Sequence, residues 1–255
     1  MAVIKIHETE YRAIKRPSYS SLKYFLDGVR HYFHMKDKPF LGNDATELGK
    51  VIHAKLQGLD QTIVVQDKLY KVLKDGSIGK YLDKQAMEEE RQEILANNPE
   101  AVFITEDQIG ILDAVEKHAK ENKLIQLWQK EAIVEQAHIY EVNNVKLKGK
   151  LDWIHNGAII DIKTTSKSII PSSFKQIIRT SHYDLQAALY CEALNTDDYF
   201  IVAVETLPPH DVRVYKLSEE ILEIGRNKMY KVLDLYKKYE IEKQDYTAFS
   251  DYEEI

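Results

Sequence analysis

Residues 146–165 read KLKGKLDWIHNGAIIDIKTT. Two runs flank Asn156-Gly157, a dipeptide that favours a two-residue type I′ hairpin turn because both central residues must adopt positive φ. That turn sets the register: His155 faces Ala158, Ile154 faces Ile159, Trp153 faces Ile160, and Asp152 falls directly opposite Asp161. Side chains alternate across a strand, so one face is expected to carry Leu151, Trp153, Ile160 and Ile162, and the other Lys150, Asp152, Asp161 and Lys163. Counted outward from the turn, Asp152 and Asp161 make a non-hydrogen-bonded pair, the closer kind, with Cα atoms about 4.5 Å apart. Carboxylates placed so are destabilising unless something compensates, and a divalent cation with hard oxygen ligands does so. The bland alternative is a solvated face on which two Asp and two Lys neutralise one another. AIIDIKTT is apolar on both sides of its Asp, as an interior strand is, and a buried ionisable group there has a functional rationale.

Around this hairpin the chain reads as a mixed sheet. Segments 131–142, 145–154 and 158–164 have strand patterns, followed by a helix at 183–194, strands at 198–206 and 211–217, and a helix at 218–241. Upstream, Leu22, Phe25, Leu26, Val29 and Phe33 recur at helical spacing and predict one helix over 18–35, capped by Ser20 or Ser21. A second helix is expected over 44–58, capped by Asp44 or Thr46 with Leu48, Ile52 and Leu56 inward, and a short strand over 62–66. Residues 67–100, with their lysines and the acidic run MEEERQE, read as a solvated helix and loops. Thr105-Glu106-Asp107-Gln108 resembles a capping box and opens a helix to Trp128 that turns Ile109, Leu112, Val115 and Ala119 inward. The fold class is therefore α/β (α+β): one domain over 1–255, with 1–130 mostly helical and 131–241 carrying the hairpin.

Bulk properties narrow the class. The 255 residues are 44% hydrophobic and 30% charged, values of a globular chain. No apolar run reaches the roughly 18–20 residues that span a bilayer, and the N-terminus lacks a signal peptide's apolar segment, so a cytoplasmic location is expected. The one cysteine, Cys191, lies in ALYCEAL and reads as a buried thiol; a lone cysteine makes no internal disulfide and holds no iron–sulfur cluster. The net charge of −6 is a sum, and a local basic groove can coexist with an acidic exterior.

Several motifs fall in a fixed order: Ser18-Tyr19-Ser20-Ser21-Leu22, Gly49-Lys50-Val51-Ile52-His53, Lys148-Gly149-Lys150-Leu151-Asp152, Asp161-Ile162-Lys163 and Tyr183-Asp184-Leu185-Gln186-Ala187-Ala188-Leu189-Tyr190. Together they resemble the PD-(D/E)XK nuclease superfamily, and within it the phage-type exonucleases of the RecE (exonuclease VIII) and RecB-like branch. The resemblance implies a restriction-endonuclease-like core, a central mixed sheet flanked by helices. It also implies roles: Asp152, Asp161, His53 and the Ile162 carbonyl as ligands of Mg²⁺ or Mn²⁺, Lys163 as the group that orients water, and Gln186 and Tyr190 as residues lining the site. Glu135 would be an accessory acid. The substrate implied is DNA with linear duplex ends, degraded 5′ to 3′ beside a single-strand annealing protein by a homo-oligomer. The alternatives are a RecB-like nuclease for single-stranded or structured DNA, and a non-catalytic DNA-binding module of the same fold.

Overall fold

In the computed structural model, which describes residues 2–4, 8–38, 43–66, 68–73 and 75–245, the N-terminal stretch supplies β1 (Ala2–Ile4), α1 (Glu8–Ala13), α2 (Tyr19–Leu22) running into a 3₁₀ turn (Lys23–Leu26), α3 (Val29–Met35) and α4 (Asp44–Gln57). An outer lobe follows: β2 (Ile63–Val65), β3 (Tyr70–Val72), β4 (Ile78–Leu82), α5 (Lys84–Asn97) and β5 (Val102–Ile104). Then come α6 (Glu106–Glu121), α7 (Lys123–Glu131), β6 (Ile133–Val142), β7 (Val145–His155), β8 (Ala158–Thr165), α8 (Pro171–Thr180), α9 (Tyr183–Leu194), β9 (Tyr199–Glu205), β10 (Val212–Lys216) and α10 (Glu219–Tyr236).

The main sheet has the order β1-β6-β7-β8-β9-β10. All its pairs are antiparallel except β8–β9, which is parallel because α8 and α9 intervene between the two strands. It is the mixed sheet flanked by helices that the resemblance implies. β1 adds to the edge at β6, so N-terminal and C-terminal stretches share one sheet.

Alternation along the central strands builds two cores. Ile159, Tyr199, Ile201 and Ala203 pack with α2, α8, α9 and α10, while Ile160, Ile162, Val202 and Val204 pack with α4, α6 and α7. The sheet is thus the middle of three layers, and β8, with Ile159, Ile160 and Ile162 fully buried, is covered on both faces. In the second core Trp128 lies 5.5 Å from Phe200 and 6.4 Å from Trp153, ring centre to ring centre.

Several expected helices are divided or capped differently. The 18–35 helix is interrupted at Gly28, whose φ of +128° is open to glycine and strained for other residues. Its N-cap is Ser18, with the Ser18 amide donating to Ser21 Oγ at 3.1 Å. Tyr32, rather than Phe33, is the buried aromatic of α3. α4 is capped by Asn43, whose side chain accepts from Thr46 N. The helix opening at Thr105 does begin with a capping box, but it ends at Glu121, and Asn122 caps a separate α7 through Leu124 N and Ile125 N. Ile109 points outward, 38% exposed. α8, with Pro171 in its first turn, has no counterpart among the elements predicted from sequence, nor has the β3–β4 hairpin. Cys191 is buried and free, its thiol pushed up to about 12 by burial. No helix among the described residues is long and apolar enough to cross a membrane.

Candidate active site

The turn forms as the dipeptide requires: Asn156 has φ 50° and Gly157 φ 82°, and the three nearest rungs are His155–Ala158, Ile154–Ile159 and Trp153–Ile160. There the ladder stops. Asp152 and Asp161 occupy the next position, but not as the rung expected from register. The strands part, β7 staying with β6 and β8 with β9. Side chains satisfy the backbone groups set free: Asp152 Oδ2 accepts from Ile162 N at 2.7 Å, Gln57 Nε2 donates to Asp152 O at 2.8 Å, and Tyr190 OH donates to Lys150 O at 3.2 Å. Buried backbone groups need such partners, and here the partners hold open a fork.

The same point switches the faces of two strands. Leu147 and Leu151 of β7 belong to the first core, while Trp153 belongs to the second; on β6, Tyr140 and Val142 belong to the first and Val134 packs against the second. Residues two apart in a regular strand share a face. The break lies at the position facing Asp152, Glu135, which has φ 46° and is skipped between the rungs Val134–Trp153 and Gln136–Leu151. Trp153, Ile160 and Ile162 therefore do share a face, but Leu151, expected beside them, lies on the other.

The fork gathers the predicted residues. Asp161 is buried, paired with the ammonium of Lys163 and bonded by Gln186 Nε2 at 3.2 Å. His53 Nδ1, reaching from α4, lies 3.6 Å from Asp152 Oδ2. Lys163 Nζ stands 4.9 Å from the centre of the Tyr183 ring, a cation–π contact. Glu135, across from Asp152, pairs with Lys150 at 2.8 Å. Ile162 is fully buried between the ion-paired residues.

The two carboxylates are set differently. Burial and the neighbouring Asp152 push Asp161 up to about 6, against the pull of Lys163. Burial acts the same way on Asp152, but His53, Lys163 and the Ile162 amide outweigh it and hold that carboxyl below its ordinary range. Burial would lower Lys163; Asp161, Tyr183 and Asp152 reverse the effect and raise it. The result is a depressed and an elevated carboxyl at one fork, with an ammonium that stays charged.

Helix α9 is fixed by groups outside the site. Asp184, fully buried, accepts from Lys228 Nζ with both carboxylate oxygens, at 2.9 and 2.7 Å. Gly225 of α10 passes so close that a Cβ there would lie 2.1 Å from Asp184 O. Gly149 likewise leaves room for Tyr190, whose Cε1 would stand 2.6 Å from an added Cβ. Gly49 brings α4 against β8, since its Cβ would lie 3.1 Å from Thr164 Oγ1. The glycine of each motif thus permits an approach that places the polar residue after it.

A cleft of about 1250 Å³ opens beside the fork, lined by His53, Glu135, Lys150, Thr164, Lys50 and Arg12 among others. Gln57, bonded to the Asp152 carbonyl, is the residue of the fork that motif reading misses. It sits four residues beyond His53, on the same face of α4, and that spacing is the signal that could have found it.

Two carboxylates and an imidazole, with the Ile162 carbonyl between the key positions, suit a hard divalent cation. The fit shows in the way the chain compensates its own charges: Asp161, buried, leans on Lys163, and Asp152 on His53. Among the described residues no three His, Cys, Asp or Glu side chains are already drawn into a finished cage, so these are donors within reach of one fork rather than a preassembled centre.

The model of a PDDEXK-like domain of unknown function, DUF3799, matches residues 18–247. Among solved structures, a presumed exonuclease from Eubacterium rectale is 13% identical and superposes with a TM-score of 0.62, over 95% of this chain and 89% of that one. At that identity the likeness bears on the fold. The Rai1 protein of Scheffersomyces stipitis, 14% identical over 88% of this chain and 68% of its own, superposes with a TM-score of only 0.27. No protein of curated function matches in sequence.

Proposed function

This chain belongs to the PDDEXK-like domain family, and from that premise we propose that it is a metal-dependent nuclease whose reaction takes place at the fork between β7 and β8. The observation that carries the reading is the convergence of Asp152, Asp161, Lys163 and His53 where the ladder opens. A divalent cation, Mg²⁺ or Mn²⁺, held by Asp152, Asp161, His53 and the Ile162 carbonyl, supplies Lewis acidity toward water and the phosphoryl oxygens. The chain's own groups do the rest. Lys163, held by Asp161 and the Tyr183 ring, places positive charge where the phosphorane oxygens develop negative charge. Gln186 fixes one oxygen of Asp161, and the Ile162 amide fixes one of Asp152. The water oxygen bonds to phosphorus and gives up a proton to solvent, the P–O bond to the leaving strand breaks, and the leaving oxygen takes up a proton from solvent.

Finer features rest on the ordered motifs and their resemblance to RecE-type exonucleases: DNA with linear duplex ends as substrate, 5′ to 3′ degradation, an annealing protein as partner, and a homo-oligomer. End-labelled linear duplex, linear single strands and closed circles, incubated with Mg²⁺, Mn²⁺ or EDTA, test both levels. Metal-dependent loss of linear duplex with circles left intact is expected. No metal-dependent cleavage of any of them would sink the nuclease reading. Cleaved circles would sink the exonuclease reading, and loss of single strands alone would move the substrate to the RecB-like alternative.

A further inference from the structure

The lysines around the fork differ in one respect. Lys163, Lys150 and Lys228 each pair with a carboxylate, of Asp161, Glu135 and Asp184. Lys23, on the 3₁₀ turn after α2, is half-buried and forms no ion pair among the described residues. Its Nζ lies 5.5 Å from the centres of both the Tyr19 and Tyr24 rings.

Lys23 also belongs to the neighbourhood of the fork. Tyr19 OH donates to Ser181 O at 2.6 Å, which fixes the turn to the start of α9. Two residues on, Tyr183 stacks its ring against Lys163. The charges register the same proximity. Burial lowers the pKa of Lys23, Asp27 one turn away partly offsets this, and the ammonium of Lys163 lowers it further.

A cation half withdrawn from water with no ion pair, and close enough to feel a second ammonium, is costly to hold. Aromatic rings return part of that cost; an anion bound between the lysines would return more. We propose that Lys23 is a ligand for a phosphate of the nucleic-acid strand, one next to the phosphate at Lys163, with the Tyr19 and Tyr24 rings as the walls of that subsite. The Ser-Tyr-Ser-Ser-Leu segment then acts as the mount of a phosphate contact, and α2 becomes part of the substrate path. This rests on the nuclease reading above.

The test compares Lys23→Met, Lys23→Arg and, as a charge-matched control, Lys117→Met on the exposed face of α6. Affinity for short labelled DNA is measured by fluorescence anisotropy in EDTA over a salt series, and KM and kcat in Mg²⁺. Losing one phosphate contact lowers the slope of log K against log salt by about 0.9 for a duplex and about 0.7 for a single strand, so the size of the change tells which form lies on Lys23. Lys23→Met should show that lower slope with a severalfold higher KM, Lys23→Arg should restore both, and Lys117→Met should match the wild type. A wild-type slope in Lys23→Met, or an arginine variant as impaired as the methionine one, overturns the inference while leaving the nuclease intact. A wild-type protein that neither binds nor cleaves DNA overturns the nuclease reading itself, and this subsite with it.

Discussion

β8 and the β3–β4 hairpin use similar residues to opposite ends. In β8 (AIIDIKTT) Ile159, Ile160 and Ile162 are fully buried, whereas in the hairpin Ile78 is 77% exposed, Val72 71% and Tyr81 67%. Both stretches mix branched apolar residues with lysine. What separates them is cover. β8 has β7 and β9 beside it and helices on both faces, while among the described residues β3 and β4 pair only with each other. Helix α5, which leads back from the hairpin, buries no residue. Period tells which side chains share a face; neighbouring layers decide whether that face leaves water. Charge follows the same division. Asp161 is buried and Lys163 partly so, and the two shift each other's proton affinity, whereas Lys68 and Asp107 make a fully exposed pair of the kind that stabilises little.

The sharpest break in the comparison comes from the fork itself. Asp161→Asn and Lys163→Met should each lower cleavage of labelled linear DNA by at least about 100-fold, the scale of losing a preorganised charge at the reacting group. Circular dichroism and thermal melting should show the fold retained. Near-wild-type turnover in Asp161→Asn would remove the fork from the chemistry.

Next in size is packing. Gly225→Ala puts a Cβ 2.1 Å from the Asp184 carbonyl, backbone against backbone, where no side-chain rotation relieves it. Forcing α10 from α9 should cost about 3 kcal/mol in urea unfolding, the upper range for overpacking, and should weaken cleavage as Gln186 shifts. A variant as stable as the wild type would show that the two helices slide freely.

Much of the fork was legible because local rules and tertiary demands agree there. Asn156-Gly157 specifies its own turn, and Gln186 and Tyr190 are one helical turn apart. What escaped reading depends on distant partners. The left-handed conformation of Glu135, unusual for that residue type, and the face switch it makes with Asp152 have no local signature. Nor has the fork beside them, where Gln57, Tyr190 and the Asp152 carboxylate take the place of missing rungs. The division at Gly28 and the cap at Asn122 were visible as residue types, yet helical periodicity continues across both. Lys23 was one lysine among many until two tyrosines and the start of α9 enclosed it.

Gln57 offers a finer probe of the same agreement. Gln57→Leu keeps the volume but removes the donor to Asp152 O, and should lower activity by about 10–100-fold, as removal of groups that orient metal ligands does. The loss should appear as a higher metal concentration for half-activation, with little change in melting temperature; an unchanged metal requirement would leave Gln57 a packing residue.

His138 tests the buried sheet away from the fork. It is 1% exposed, both ring nitrogens lack a partner among the described residues, and burial lowers its pKa below the ordinary 6.5. For a depressed folded-state pKa, the stabilising contribution is complete above the unfolded value and is lost as pH falls through the folded one. Wild-type stability should therefore decline as pH drops below about 6.5, and His138→Leu should flatten that part of the profile. Parallel profiles for the two proteins would show the imidazole charging without penalty.

The smallest effect is expected where the comparison began. Val72→Ser and Ile78→Ser exchange side chains that are 71% and 77% exposed, so folding removes little of their apolar surface from water. Burial free energy scales with the area removed, about 25 cal/mol per Å², and surface substitutions of this kind stay within about 0.5 kcal/mol. The pair should thus leave the urea midpoint almost unchanged, although each removes more apolar surface than an Ile160→Val change in the sheet, which should cost about 1 kcal/mol. A loss above about 2 kcal/mol in the hairpin variants would mean that its apolar face is covered in solution. The contrast between covered and uncovered strands would then dissolve, and the search would turn to what lies on that face, beginning with the protein's sedimentation coefficient in dilute and concentrated samples.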